Sequence, residues 1–217
     1  MSAPASPRVR LVSDRIDRES ILVQKRMTTA LLITLAAYAI GSVSFAVITS
    51  RAFGLPDPRS YGSRKPGATN VLRTGKKAAA ALTLLGDSAK GWVAVALAAH
   101  FAQPAAAEST MAMAGVAVLA GHIFPVFFGF KGGKGVATAL GVMLGLNVYA
   151  AVGVVASWLV IFVFFRISSL SSLVAALSAP FLMLLLYDVG HPYVIATGVI
   201  AVLLIWRHES NIRNLLA

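Results

Sequence analysis

The sequence predicts an all-α fold: a polytopic membrane helix bundle of seven transmembrane helices, N-terminus out and C-terminus in. Three observations predict it. Of 217 residues, 58% are hydrophobic and only 12% charged, about half the charged share of an ordinary soluble domain. Apolar runs recur at about the 20 residues a helix needs to cross a bilayer. Lys and Arg collect in alternate connections only, as the positive-inside rule requires.

Residues 1–26 are polar and basic, with Arg8, Arg10, Arg15, Arg18, Lys25 and Arg26. Their low apolar content predicts disorder. Met27 opens "MTTALLITLAAYAIGSVSF", a natural start. We therefore read 1–26 as a disordered extension or a misplaced start, and 27–217 as a single membrane domain. Spans fall near 28–49, 78–100, 111–128, 136–148, 150–166, 169–187 and 191–207. The fourth is short, and Gly145 and Asn147 are weak break signals. One long tilted helix over 136–166 would give six crossings instead.

Charge decides for seven. Segment 51–77 carries Arg51, Arg59, Arg64, Lys65, Arg73, Lys76 and Lys77 against Asp57 alone. Seven crossings put Lys131, Lys134, Arg166, Arg207 and Arg213 on the same side. The opposite connections, near 101–110, 148–149 and 188–190, contain no Lys or Arg. The basic 1–26 segment conflicts with this orientation, a second reason to set it apart. No stretch reads as a cleavable signal peptide, because the first apolar run is too long and lacks a small-residue cleavage site.

The net charge of +11, from 19 Lys/Arg against 8 Asp/Glu, is accounted for by basic loops that hold orientation in a lipid bilayer. Nucleic acid is not an expected partner, since no basic-aromatic stripe lies outside the apolar segments. The absence of Cys excludes thiolate catalysis and a Cys-ligated metal.

Three polar constellations fall on one side of the membrane. "GFKGGKGVAT" places Gly129, Gly132, Gly133 and Gly135 around Lys131 and Lys134, just before a helix. Glycines let backbone N–H groups converge, and a helix N-terminus adds positive potential, so a phosphate is the expected guest. A flexible basic turn that only fixes topology is the bland reading. The second constellation, "DPRSYGSRKPGATNVLRTGKK", is a long loop bearing Ser60, Ser63, Thr69, Asn70, Arg59, Arg64, Lys65 and Arg73, with Gly62, Gly67 and Gly75 allowing tight backbone. Arginine grips phosphate as a fork; binding of anionic head groups is the alternative. The third, "WRHESNIRNLL", puts His208 and Asn211 on one helical face, or merely snorkels its charges at the interface. Asp87 and Lys90, spaced i, i+3, suggest a structural ion pair. His122 either serves the phosphate site or is a hydrogen-bonded core residue.

"YGSRKPGATNVLR", "GHIFPVFFGFKGGKGVAT" and "RHESNIRNLL" resemble the three signature segments of the bacterial acyl-phosphate:glycerol-3-phosphate acyltransferases, from about Met27 to the C-terminus. The resemblance implies a seven-helix enzyme of the cell inner membrane with its site facing the cytoplasm. Its implied substrates are acyl phosphate and glycerol 3-phosphate, and its products 1-acyl-glycerol-3-phosphate and phosphate, the first step of phospholipid synthesis. No cofactor and no metal are implied; a cytosolic acyl-phosphate synthase is an implied partner. Ser63 and Arg73 match functional positions of the first motif, Lys134 and its glycines the phosphate loop of the second, His208 and Asn211 the third. We expect Gly62, Gly67, Thr69, Asn70, Gly132, Gly133, Lys134 and Gly135 to bind substrate phosphate. Lys65 stands where the family usually has Asn, which either weakens substrate positioning or adds a phosphate-binding charge.

An acyl phosphate is already activated, so no covalent intermediate is required. Positioning and charge on the leaving phosphate supply the catalysis. The proton goes to the leaving phosphate or to His208; Ser63 is read as a binding group. The residues five beyond His100, His122, His191 and His208 are Ala105, Phe127, Ala196 and Arg213, so a His–Asp acyltransferase pair is not supported. A membrane transporter of a phosphorylated solute is the alternative, though it would want charges at mid-membrane or on both faces.

Overall fold

In lipid the backbone must satisfy its own hydrogen bonds, so long apolar runs fold as helices. The computed structural model describes residues 7–217, with side chains from Arg18 onward. Its helices are α1 (Pro7–Gly41), α2 (Phe45–Ala52), α3 (Ala68–Leu72), α4 (Lys77–Phe101), α5 (Ala107–Ile123), α6 (Val136–Leu146), α7 (Val148–Phe165), α8 (Ser168–Leu184), α9 (Pro192–Arg207) and α10 (Glu209–Leu216), and no strand occurs among the described residues.

Four helical stretches are long and apolar enough to cross a membrane: 18–52, Lys77–Phe101, Pro104–Phe128 and Val148–Phe165. The shorter α6 and α8 are also apolar, and α9 turns into α10 through a 60° bend. Each of the seven predicted apolar segments is thus helical. The fourth and fifth are separate helices, and Asn147 is the reason. Its Oδ1 accepts from the N–H groups of Tyr149 and Ala150, both at 3.0 Å, while its Nδ2 donates to the Tyr187 hydroxyl at 3.0 Å. A side chain capping a new helix start stops the old one.

The sequence predicts disorder over 1–26; within that stretch the described helix runs from Pro7 through Gly41. Pro7 sits at the first helical position, where its missing N–H costs nothing. After it come residues with neutral to good helix propensity and neither Gly nor Pro, which continue a helix anchored in an apolar span. Residues 18–25 are exposed, and Arg26 Nε donates to Gln103 Oε1 at 3.2 Å. Residues 1–6 lie outside the described residues.

The interior is built from small side chains, among them Ala94, Ala98, Ala114, Ala139, Ala176 and Ala179. Close backbone approach replaces bulk, as is usual where lipid removes the hydrophobic drive. A Cβ on Gly141 of α6 would sit 1.8 Å from the Ser88 carbonyl oxygen of α4, so any side chain there forces the two helices apart. Large apolar residues such as Leu32, Leu85, Phe164, Phe181 and Val202 face outward, a surface suited to lipid.

Candidate active site

The loop between α2 and α4 is organised by Asn70. Its Nδ2 donates to the carbonyls of Pro58 (2.6 Å) and Tyr61 (3.3 Å), and its Oδ1 accepts from the Ser63 N–H at 3.1 Å. Gly62 has φ +56°, and a Cβ there would lie 2.3 Å from Asn70 Oδ1. Both residues were expected to bind phosphate. Asn70 spends its amide on the loop, and Gly62 makes room for it without reaching the cavity, whose wall here is formed by Ser63, Gly67, Thr69, Asn70 and Arg73. Arg59 is neutralised by Asp57 through a two-pronged contact of 2.9 and 2.6 Å.

The glycine loop also departs from expectation. The N–H groups of Gly132 and Gly133 do not converge on an open point. They donate at 3.2 Å to the carbonyls of Ile123 and His122, at the end of α5. A Cβ on Gly133 would meet the Pro66 carbonyl oxygen at 2.2 Å and His122 Nε2 at 2.3 Å. These two glycines allow close docking of three segments. Gly135, with φ +93°, turns the chain into α6, whose first-turn N–H groups have no intrahelical acceptor.

The third segment closes the site. Lys134 Nζ donates to Asn211 Oδ1 at 2.5 Å. Arg207 donates from Nη2 to the Gly132 carbonyl (3.0 Å) and from Nε to the Gly133 carbonyl (3.2 Å). His208, buried at the bend beyond α9, approaches the Leu204 carbonyl through Nδ1 at 2.7 Å. A carbonyl only accepts, so Nδ1 carries the proton and Nε2 keeps its lone pair.

These parts surround one cavity of about 470 Å³, lined by Ser63, Lys65, Arg73, Lys134, His208 and Asn211 at one end. Burial pushes the Lys134 ammonium down to about 8, helped by the charges of Arg73, Lys65 and Arg207. Burial and the Arg207 charge likewise lower Lys65. Burial, then Lys134 and Arg207, depress His208 against the opposing effect of its Leu204 bond. Among the described residues the one carboxylate on the wall, Asp87, already pairs with Lys90 at 2.8 Å. Asp87 also lies 3.6 Å from His122 Nδ1, which faces Thr138 Oγ1 at 3.2 Å. Cations crowded together without free acids await an anion.

The part of the cavity wall that comes from α6, α7 and α8 is largely apolar, with Met143, Val155, Trp158 and Ala176 beside Ser168, Ser169 and Ser172 of α8. Trp158 Nε1 donates to Ser172 Oγ at 3.2 Å, so the indole shows the cavity its apolar body. The sequence leaves the role of Lys65 open and does not point to Arg207 as a site residue. The signal for Arg207 was its i, i+4 spacing to Asn211; the clamp on a loop 75 positions away has no sequence signature.

A helical membrane protein whose cavity has a basic head and an apolar tail defines a class: membrane proteins that handle anionic amphiphiles. A family model described as glycerol-3-phosphate acyltransferase matches residues 31–217, and the chain belongs to that family. It is similar to the glycerol-3-phosphate acyltransferase of Burkholderia ambifaria, at 54% identity over 86% of this chain and 87% of that one. It is also similar to that of Methylobacillus flagellatus, at 56% over 84% and 91%. Among solved structures it resembles the glycerol 3-phosphate form of PlsY (YgiH), an integral membrane glycerol 3-phosphate acyltransferase. The TM-score is 0.79 at 36% identity, covering 86% of this chain and 92% of that one. The lysophosphatidic acid form of the same protein gives 0.78 at 35% identity, covering 86% and 91%. The protein is thus a multi-pass membrane acyltransferase.

Proposed function

We propose that the chain transfers an acyl group from acyl phosphate to glycerol 3-phosphate, at the cytoplasmic face of the inner membrane, with seven crossings and the C-terminus inside. The observation that carries this reading is the meeting of Lys65, Arg73 and Lys134 in one cavity whose wall from α6, α7 and α8 is largely apolar. The relatives' names supply the acceptor; an activated donor that needs no covalent catalysis suits a site whose chemistry is mostly positive charge.

In the reaction the glycerol 3-phosphate hydroxyl oxygen attacks the acyl carbonyl carbon. The carbon–oxygen bond to phosphate breaks, and phosphate leaves with the electron pair. Lys134 and Arg73 stabilise charge building on the phosphoryl oxygens. The hydroxyl proton passes to His208 Nε2, unprotonated at neutral pH because burial depresses the imidazole. Ser63 binds substrate, and His208 hands the proton from Nε2 to the leaving phosphate, which carries it off and restores the free base. The acyl chain lies along Met143 and Trp158. Asn70 and Gly62 shape the loop that presents Ser63 and Arg73.

Purified protein incubated with acyl phosphate and glycerol 3-phosphate should release lysolipid and inorganic phosphate in equal amounts. No lysolipid from acyl phosphate, with product formed from another acyl donor, would overturn the donor assignment. Vectorial movement of glycerol 3-phosphate into vesicles without acylation would favour the transporter alternative.

A further inference from the structure

The Gly132–Gly133 peptide is held from two sides. Its N–H, on Gly133, donates to the His122 carbonyl at the end of α5 (3.2 Å). Its carbonyl, on Gly132, accepts from Arg207 Nη2 at the end of α9 (3.0 Å). In a trans peptide these two groups point in opposite directions, so the unit is strung between two helices. The next peptide carries the Gly133 carbonyl, which accepts from Arg207 Nε at 3.2 Å. That contact turns the Lys134 N–H away from Arg207 by the same planarity. Two adjacent donors of one planar guanidinium thus fix two consecutive peptide planes, which a lysine ammonium cannot do with the same geometry.

We propose that Arg207 is a positioning residue of the phosphate site: its fork holds the Gly132 and Gly133 carbonyls and so fixes where the Lys134 ammonium stands. The inference rests on the reading above that this site takes phosphate. It also explains why the loop tolerates two carbonyls beside an anion site. Their partial negative charge is covered by the guanidinium, where bare carbonyl oxygens would repel a phosphate. Arg207 is half-buried and stands 5.4 Å over the ring of Trp206, which limits its other orientations.

The test compares Arg207→Ala, Arg207→Lys and Arg207→Gln, each checked for folding by melting temperature in detergent. A misplaced charge of this kind costs about 100-fold. Arg207→Ala should therefore lower kcat and kcat/KM together, and added methylguanidinium should recover much of the loss. Arg207→Lys should stay close to Arg207→Ala. A wild-type kcat in Arg207→Lys would overturn the proposal by showing that charge alone suffices, and so would an unchanged kcat in Arg207→Ala. A second readout needs no turnover: the pH dependence of reductive methylation at Lys134, followed by mass spectrometry. Removing the guanidinium in Arg207→Gln should move the midpoint upward from about 8, because a neighbouring positive charge is lost. An unmoved midpoint overturns the proposal even if the wild-type protein makes no lysolipid, an outcome that would instead sink the proposed function.

Discussion

Lys134 and Asn211 lie 77 positions apart in the chain, yet the ammonium of one donates to the amide oxygen of the other at 2.5 Å. The bond joins the glycine loop to α10 and leaves the lysine with an uncharged partner. A neutral acceptor orients the cation without cancelling it, so the positive charge stays available for a phosphate.

Replacing Lys134 by Ala should therefore remove transfer while the bundle still folds. Loss of one preorganised stabilising group costs about 100- to 1,000-fold in rate. Initial-rate measurements beside a melting curve in detergent check this; turnover near the wild-type value would discard the role.

The pH profile of kcat/KM should be bell-shaped. On the acid side, activity rises as His208 loses its proton, at a pH below its ordinary value because burial depresses it. On the alkaline side, activity falls as Lys134 gives up its charge near 8. The free enzyme's groups govern this ratio. His208→Gln should abolish the acid limb; an unchanged limb in that variant would assign the proton to the leaving phosphate.

Asn70 should behave as a structural residue. Asn70→Ala strands two carbonyls and the Ser63 N–H, at about 1–3 kcal/mol for each buried group left unpaired. Lower melting temperature together with lower activity is expected, and Thr69→Ala should leave stability nearly unchanged. A fully stable but inactive Asn70→Ala protein would return this side chain to direct substrate binding.

Topology can be read by single-cysteine labelling, since the chain has no Cys of its own. Lys131→Cys and Asn214→Cys should both react with a membrane-impermeant reagent from the cytoplasmic side. In the same cells a chain starting at Met27 should retain activity, as expected if residues 1–26 lie outside the enzyme domain. Labelling of the two cysteines from opposite sides would end the seven-crossing proposal.

Much of this was legible in the chain. Apolar runs of bilayer length marked every long helix, because lipid leaves the backbone no other way to satisfy its hydrogen bonds. The three polar segments announced a site by composition, and Lys134, Arg73, Ser63 and His208 were named from it. The break at 147 was faintly signalled, since an Asn caps only if the next helix turns to meet it.

Residue types and their order determined that this protein crosses a membrane and carries three clusters of phosphate-friendly groups. Only the tertiary structure decided what each group does. Gly132 and Gly133 looked like anion-binding amides, but their N–H groups belong to α5 and their carbonyls to Arg207. Asn70 looked like a ligand, but it holds its own loop. Lys65 joined the site because the loop folds it against Arg207 and Lys134. A donor's partner depends on what packs within 3.5 Å of it, and such neighbours come from segments far apart in the chain.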